Sequence, residues 1–217
     1  MMAEVAETYR ANGYAPLPGL IPREVATGFL GRLKSELERQ HISFSQILQP
    51  SPLLRAPAAE VTSNQYAPLA GFLWGMTPAI ARLTGEDLLP TYAYFRLYRQ
   101  GDICRVHCDR YACEHSLSLT LAYADDLPWA LEVATTRDDH PRQRADERFA
   151  AHEAPESVAM QPGDAVLYQG VHHHHGRTTP NPNHWSAHLF LHWVSRAGPY
   201  GAEAFDKQVP PQRVEVD

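Results

Sequence analysis

The chain has 217 residues, 44% hydrophobic and 20% charged, with a formal net charge of −6. That length and apolar content suffice for a single domain with a sizeable core and exclude general disorder. The acidic balance argues against a broad nucleic-acid surface, and no apolar run approaches the roughly 20 residues of a membrane helix. The opening MMAEVAETYRANGY lacks the basic start and apolar core of a signal peptide, so a cytoplasmic location without a membrane partner is expected.

In chain order, GLIPREVATGFLGRLKSELERQ predicts an amphipathic helix with Pro22 at its first position. Val25, Phe29, Leu33 and Leu37 form its expected buried stripe. The stretch from His41 to about Ser63 carries prolines without a sustained period and reads as irregular. A second helical region starts near Tyr66; Thr77-Pro78 reads as a cap and first-turn pair, and Gly85 as a stop.

After Pro90 the period changes to two. TYAYFRLY is a strand with Tyr92, Tyr94, Arg96 and Tyr98 on one side and Ala93, Phe95 and Leu97 on the other. In HSLSLTLAY, Ser116, Ser118 and Thr120 face one way and Leu117, Leu119 and Leu121 the other. Further strands are expected at ALEVA, ESVAM, DAVLY and SAHLFLHWV, with QPGD as a turn and TTRDDHPRQRADERFAAHEA as a polar surface insertion. Strands with a polar inner side and an apolar outer side fit a jelly roll that lines a polar cavity. The expected fold class is therefore mostly β with supporting α-helices, the N-terminal helices packed on the outside. One domain would span 1–217: helical support over 1–88, a strand core over 90–195 and a surface extension over 196–217.

The chain carries 12 histidines, and all but His41 lie beyond residue 106. RVHCDRY sets His107 and Asp109 two residues apart, so an extended backbone projects imidazole and carboxylate from the same side. A further histidine from a distant strand would complete two imidazoles and a carboxylate on one face of a metal, which leaves open positions and suits non-haem iron(II). QGVHHHHGRTT supplies four candidates, His172 to His175. If that segment is extended, His173, His175 and Arg177 share one side. The remaining histidines read as a solvated loop or an entrance lining.

The blocks YRQGDICRVHCDR, PGDAVLYQG followed by histidine, and LFLHWV, with NGYAPLPGLIP as a helical lead-in, resemble the iron(II)- and 2-oxoglutarate-dependent oxygenases. The resemblance lies near their prolyl-hydroxylase-like branch and covers about residues 10–195. It implies a double-stranded β-helix, a distorted jelly roll. It selects His175 as the distal ligand, so that His107, Asp109 and His175 form the catalytic and metal-binding set for Fe(II), with 2-oxoglutarate and O2 as co-substrates. The implied reaction hydroxylates an unactivated C–H bond of a peptide, a protein side chain or a small metabolite. Relatives that halogenate lack the carboxylate that Asp109 provides, so its presence favours hydroxylation.

Tyr98 resembles the family tyrosine that bonds the co-substrate, and Arg96 lies on the same side of its strand. The far carboxylate of 2-oxoglutarate needs a buried cationic partner. The family's final strand usually supplies one, but NHWSAHLF has neither lysine nor arginine, only His184 and His188. Arg177 and Tyr98 are therefore the favoured partners, followed by Arg96, with Thr120 and Ser118 lining the pocket. The missing cation keeps two other classes open: a cupin-like metal enzyme that does not use 2-oxoglutarate, and a non-catalytic jelly-roll binding module. A structural zinc site drawn from Cys104, Cys108, Cys113, His107 and His115 is disfavoured, because no pair has the tight C-x₂-C spacing. Reduced cysteines packed near the iron site are the expectation instead.

Overall fold

A computed structural model describes residues 2–139 and 145–208. Residues 140–144 of the expected insertion and 209–217 of the expected C-terminal extension lie outside the described residues. The elements run α1 (Met2–Asn12), β1 (Tyr14–Leu17), α2 (Arg23–Arg39), β2 (Leu48–Gln49), β3 (Ala58–Thr62), α3 (Ala67–Thr84), β4 (Leu88–Arg99), β5 (Cys104–His107), β6 (His115–Tyr123), β7 (Leu131–Ala134), β8 (Pro155–Val158), β9 (Ala165–Tyr168), β10 (His175–Arg177) and β11 (Trp185–Ser195).

The strands form two antiparallel sheets, the jelly-roll architecture read from the sequence. The larger has the order β1-β9-β6-β11-β4-β3-β2 and the smaller β5-β10-β7-β8. The strict alternation of β4 and β6 assigns their faces. Ala93, Phe95, Leu117, Leu119 and Leu121 point outward and bury against Ala26, Leu33, Leu69, Leu73 and Ile80 of the helices. Each such fully buried aliphatic side chain contributes about 1.5–3 kcal/mol. The inward faces meet the smaller sheet through two clusters, one around Tyr14, Leu131, Val133, Val166 and Tyr168 and one around Tyr98, Cys104, Trp129 and Phe190.

Five expectations are corrected. Pro22 precedes α2 rather than opening it. The buried stripe of α2 runs through Ala26, Phe29, Leu30, Leu33 and Leu37, while Val25 is 50% exposed. A strict four-residue spacing drifts about 40° per step on a helix of 3.6 residues per turn, so it leaves the buried face by its first member. Thr77-Pro78 does not start a helix: α3 runs through it. The Thr77 hydroxyl donates to the Leu73 carbonyl at 3.0 Å and accepts the Trp193 indole N–H at 2.9 Å. Burial of the apolar face of α3 outweighs the helix-breaking tendency of Pro78.

The segment 41–63 is not wholly irregular, since β2 and β3 extend the large sheet from β4, with Ala59 opposite Leu97. NGYAPLPGLIP is not a helical lead-in beyond the end of α1; it forms β1, an edge strand paired with β9, where Pro16 is tolerated. The 1–88 support thus contributes three strands as well as three helices. Gly13 makes the turn from α1 into β1 at φ +78, and a Cβ there would lie 2.2 Å from His173 Nε2.

Candidate metal centre

The centre is built where the small sheet pairs its shortest strands. β5 and β10 are antiparallel, with His107 directly opposite His175 and a register irregularity between His175 and Arg177. Asp109 lies just past the end of β5, and its N–H donates to the Gly170 carbonyl at 2.8 Å. The two-residue spacing therefore works although only His107 is in the strand. Asp109 Oδ1 is 3.4 Å from His107 Nε2 and 3.5 Å from His175 Nε2. All three donor atoms lie within 4.8 Å of one another.

The remaining ring nitrogens are committed elsewhere. His107 Nδ1 is 2.7 Å from the Arg105 carbonyl and His175 Nδ1 is 2.9 Å from the His173 carbonyl. A carbonyl can only accept, so each neutral ring carries its proton on Nδ1 and turns the Nε2 lone pair toward the shared point. Burial lowers the His107 pKa, and the charge of His175 adds to this, favouring the neutral form that can ligate. Burial alone would raise the Asp109 pKa; in the metal-free site the charge of His175 and the hydrogen bonds from the His107 and His175 Nε2–H groups, whose protons a metal would displace, outweigh it and hold the carboxyl well below its usual range. An ionised carboxylate and two neutral imidazoles are the donor states that a divalent metal requires. The residues fit a ferrous ion.

Asp109 is also braced. Its Oδ2 accepts from Ser116 Oγ at 3.0 Å, and Ser116 Oγ lies 2.9 Å from His192 Nδ1. A Cβ at Gly170 would fall 2.3 Å from Asp109 Oδ2, so glycine is needed for the backbone to approach. The Tyr168 ring packs on His175 with centroids 4.5 Å apart.

Two cavities meet at this point. The outer, about 550 Å³, is lined by Leu53, Glu60, Tyr92, Tyr94, Arg96 and Arg110 as well as His107 and Asp109. The inner is walled by Tyr98, Cys104, Tyr168, His175, Arg177 and Phe190 and shares Tyr94, Arg96, His107 and Asp109 with the outer. Arg177 is 1% exposed; it donates to the Trp129 carbonyl, approaches Ser118 Oγ at 3.4 Å and stacks 4.9 Å above the Trp129 ring. Among the described residues no carboxylate lies within ion-pair distance of it. Arg96, by contrast, is paired with Glu60 at 2.7 Å and donates to Tyr98 Oη at 3.2 Å. Thr120 is not among the residues lining either cavity, and its hydroxyl sits 3.3 Å from His188 Nδ1.

His188 is buried beside Arg177, and burial, then the charges of Arg177 and Arg96, push its pKa well down, so it stays neutral. It cannot supply the missing cation. His184 is largely exposed and pairs with Asp125 instead.

The other histidines of the run are not a solvated loop. His173 and His174 are buried, and each of the three has a distinct partner. His172 meets the Asp138 carbonyl and Tyr200, His173 the Ala134 carbonyl, and His174 the Glu153 carboxylate. Residues 170–173 form a turn and bend, so strand parity does not apply and His173 lies under Gly13 rather than where the three donor atoms converge. The cysteines are buried and not disulfide-bonded, and no donor grouping among the described residues contains two of them. The Ser116–His192 brace and the placement of His188 go beyond the sequence expectations; the alternation in SAHLFLHWV, which puts His188, Phe190 and His192 on one side, is the sequence signal for them.

No protein-family model matches the chain, and no curated protein matches it. Solved structures do. A prolyl-4-hydroxylase of Pseudomonas putida is 17% identical, with a TM-score of 0.59 over 91% of this chain and 100% of that one. The non-haem α-ketoglutarate-dependent epimerase SnoN from nogalamycin biosynthesis is 14% identical, with a TM-score of 0.63 over 99% and 91%. HygX of Streptomyces hygroscopicus, solved with nickel, 2-oxoglutarate and hygromycin B, is 12% identical, with a TM-score of 0.61 over 89% and 87%. The chain has the fold of the 2-oxoglutarate- and iron-dependent oxygenases.

Proposed function

We propose that this chain is an Fe(II)- and 2-oxoglutarate-dependent dioxygenase that hydroxylates an unactivated C–H bond. The observation that carries the reading is the convergence of His107 Nε2, Asp109 Oδ1 and His175 Nε2 within 4.8 Å, with both Nδ1 atoms bonded to backbone carbonyls. A ferrous ion held there supplies the centre at which O2 and 2-oxoglutarate are converted with substrate R–H to R–OH, succinate and CO2.

The chain's own residues divide the work around that centre. Arg177, a buried cation without a carboxylate partner among the described residues, takes the far carboxylate of 2-oxoglutarate at the inner cavity, which at about 20 Å³ has to widen to admit it. Burial raises the Tyr98 pKa, so its hydroxyl remains available as a hydrogen-bond donor on the same wall. Tyr168, Leu131 and Phe190 keep water from the inner cavity. The outer cavity, about 550 Å³ and walled by Tyr92 and Tyr94, admits a small molecule or one side chain of a peptide. SnoN with nogalamycin RO and HygX with hygromycin B support a small molecule.

The test is anaerobic loading with Fe(II), then oxygen with labelled 2-oxoglutarate. Release of succinate that disappears in Asp109→Ala supports the reading. Iron binding without succinate release points to a metal enzyme that does not use 2-oxoglutarate, or to a binding module. Turnover without transfer of oxygen to a product would place the chain with the epimerase or carbocyclase chemistry named for SnoN and SnoK.

A further inference from the structure

β6 carries a second donor cluster on the opposite face of the large sheet. Ser116 points inward to Asp109, so its neighbour His115 points outward, toward the helices. There His115 meets Glu114, which precedes it, and Glu86, in the turn that follows the Gly85 stop of α3. One donor atom from each of Glu86, Glu114 and His115 lies within 4.8 Å of the others.

Two features set this apart from an ordinary surface acidic pair. First, His115 is 2% exposed, yet its Nε2 has no hydrogen-bond partner; the nearest carboxylate oxygen, Glu86 Oε1, is 3.6 Å away. At that distance the contact is an ion pair without a hydrogen bond, and a metal between the two groups would satisfy the buried nitrogen. Second, the ring is locked from behind. His115 Nδ1 is 2.6 Å from the hydroxyl of Tyr9 in α1, and Glu114 Oε2 accepts the Ser195 N–H at 2.7 Å. With a metal on Nε2, the imidazole proton sits on Nδ1 and donates to the Tyr9 oxygen. That is the outer support typical of a ligating histidine.

We propose that Glu86, Glu114 and His115 form a structural site for a first-row divalent cation such as Zn²⁺, separate from the proposed catalytic centre. Two carboxylates and one imidazole match the oxygen and nitrogen preference of zinc and neutralise its charge. Glu86 is exposed, which leaves room for a water as fourth ligand. The ion would tie together the α3–β4 turn, the start of β6 and, through Tyr9 and Ser195, α1 and the end of β11.

The test is Zn²⁺ titration by calorimetry with the full chain. Wild type binds two equivalents, and Glu86→Gln/Glu114→Gln binds one. Asp109→Ala/His175→Ala, which lacks central donors, also retains one, and Zn²⁺ raises its melting temperature. Combining all four substitutions abolishes both the binding and the melting shift. Stoichiometry unchanged by Glu86→Gln/Glu114→Gln overturns the site, because the zinc is then held elsewhere among the histidines. Failure of the Asp109→Ala/His175→Ala protein to bind any zinc overturns it too. Should that variant not fold, the wild-type comparison alone decides.

Discussion

His107 and His175 face one another across the β5–β10 pairing, with ring centroids 4.4 Å apart. Backbone register thus places the two imidazoles without help from an ion, and Asp109 needs only the turn beyond β5 to join them. Pre-placed donors bind without the ordering cost that a floppy site incurs.

Register makes His175 irreplaceable by its neighbours in the run. His175→Ala is expected to weaken Fe(II) or Mn²⁺ binding by at least 100-fold in calorimetry. His172→Ala should stay within about threefold, since His172 contacts Tyr200 and the Asp138 carbonyl instead. Equal losses in the two variants would mean that the ligand has been misassigned.

His174 separates stability from metal binding. Its partner Glu153 has a nearly inaccessible side chain, so His174→Ala removes one of the contacts of a buried carboxylate that also accepts the Ala150 N–H. Losing a hydrogen bond to a charged group costs about 1.5–3 kcal/mol. Urea unfolding should register that loss while metal affinity is retained.

Gly170→Ala tests the brace on Asp109. The new methyl would overlap Asp109 Oδ2, at 2.3 Å, and Ser116 Oγ, at 2.6 Å. Metal affinity should fall at least tenfold with far-ultraviolet circular dichroism unchanged. An unaltered dissociation constant would show that the carboxylate is not held in this way.

Arg177→Gln should raise KM for 2-oxoglutarate at least tenfold and leave metal affinity within a few-fold, because Arg177 faces the inner cavity without touching the donor atoms. Measured by succinate release, an unchanged KM would transfer the role to Arg96.

The buried histidines give the apoprotein a pH-dependent stability. Burial lowers the His192 pKa to about 4, against about 6.5 unfolded. Between these values the unfolded chain binds the extra proton, so stability is full above about pH 6.5 and falls as pH drops toward 4. The difference corresponds to about 3 kcal/mol at the acid end of that window. Urea unfolding of the apoprotein from pH 7 to 4 should show a shallower decline in His192→Phe than in wild type; parallel curves would contradict it.

The strand core was legible because β4 and β6 obey a strict period of two, which sorts Arg96 and Tyr98 from Phe95, and Ser118 from Leu119, without tertiary information. His107 and Asp109 were legible from their two-residue spacing, although β5 ends at His107 and the turn beyond it, not the strand, brings Asp109 to the same point. The His172–His175 run was not, because His172 and His173 lie in a turn and bend and the partners of the first three, Tyr200, Ala134 and Glu153, come from distant segments. β2 and β3 were hidden because AAEVT has little intrinsic strand signal and is recruited by the edge of β4. Pro78 misled because tertiary burial, not local propensity, carries α3 through it.

The most direct check is a crystal structure of the chain with Mn²⁺ in place of Fe(II), read by anomalous scattering. One ion bonded to His107 Nε2, Asp109 and His175 Nε2 at about 2.0–2.3 Å is the result expected. An ion bonded to other histidines of the run, or no ion at the point where these three atoms converge, would contradict the account.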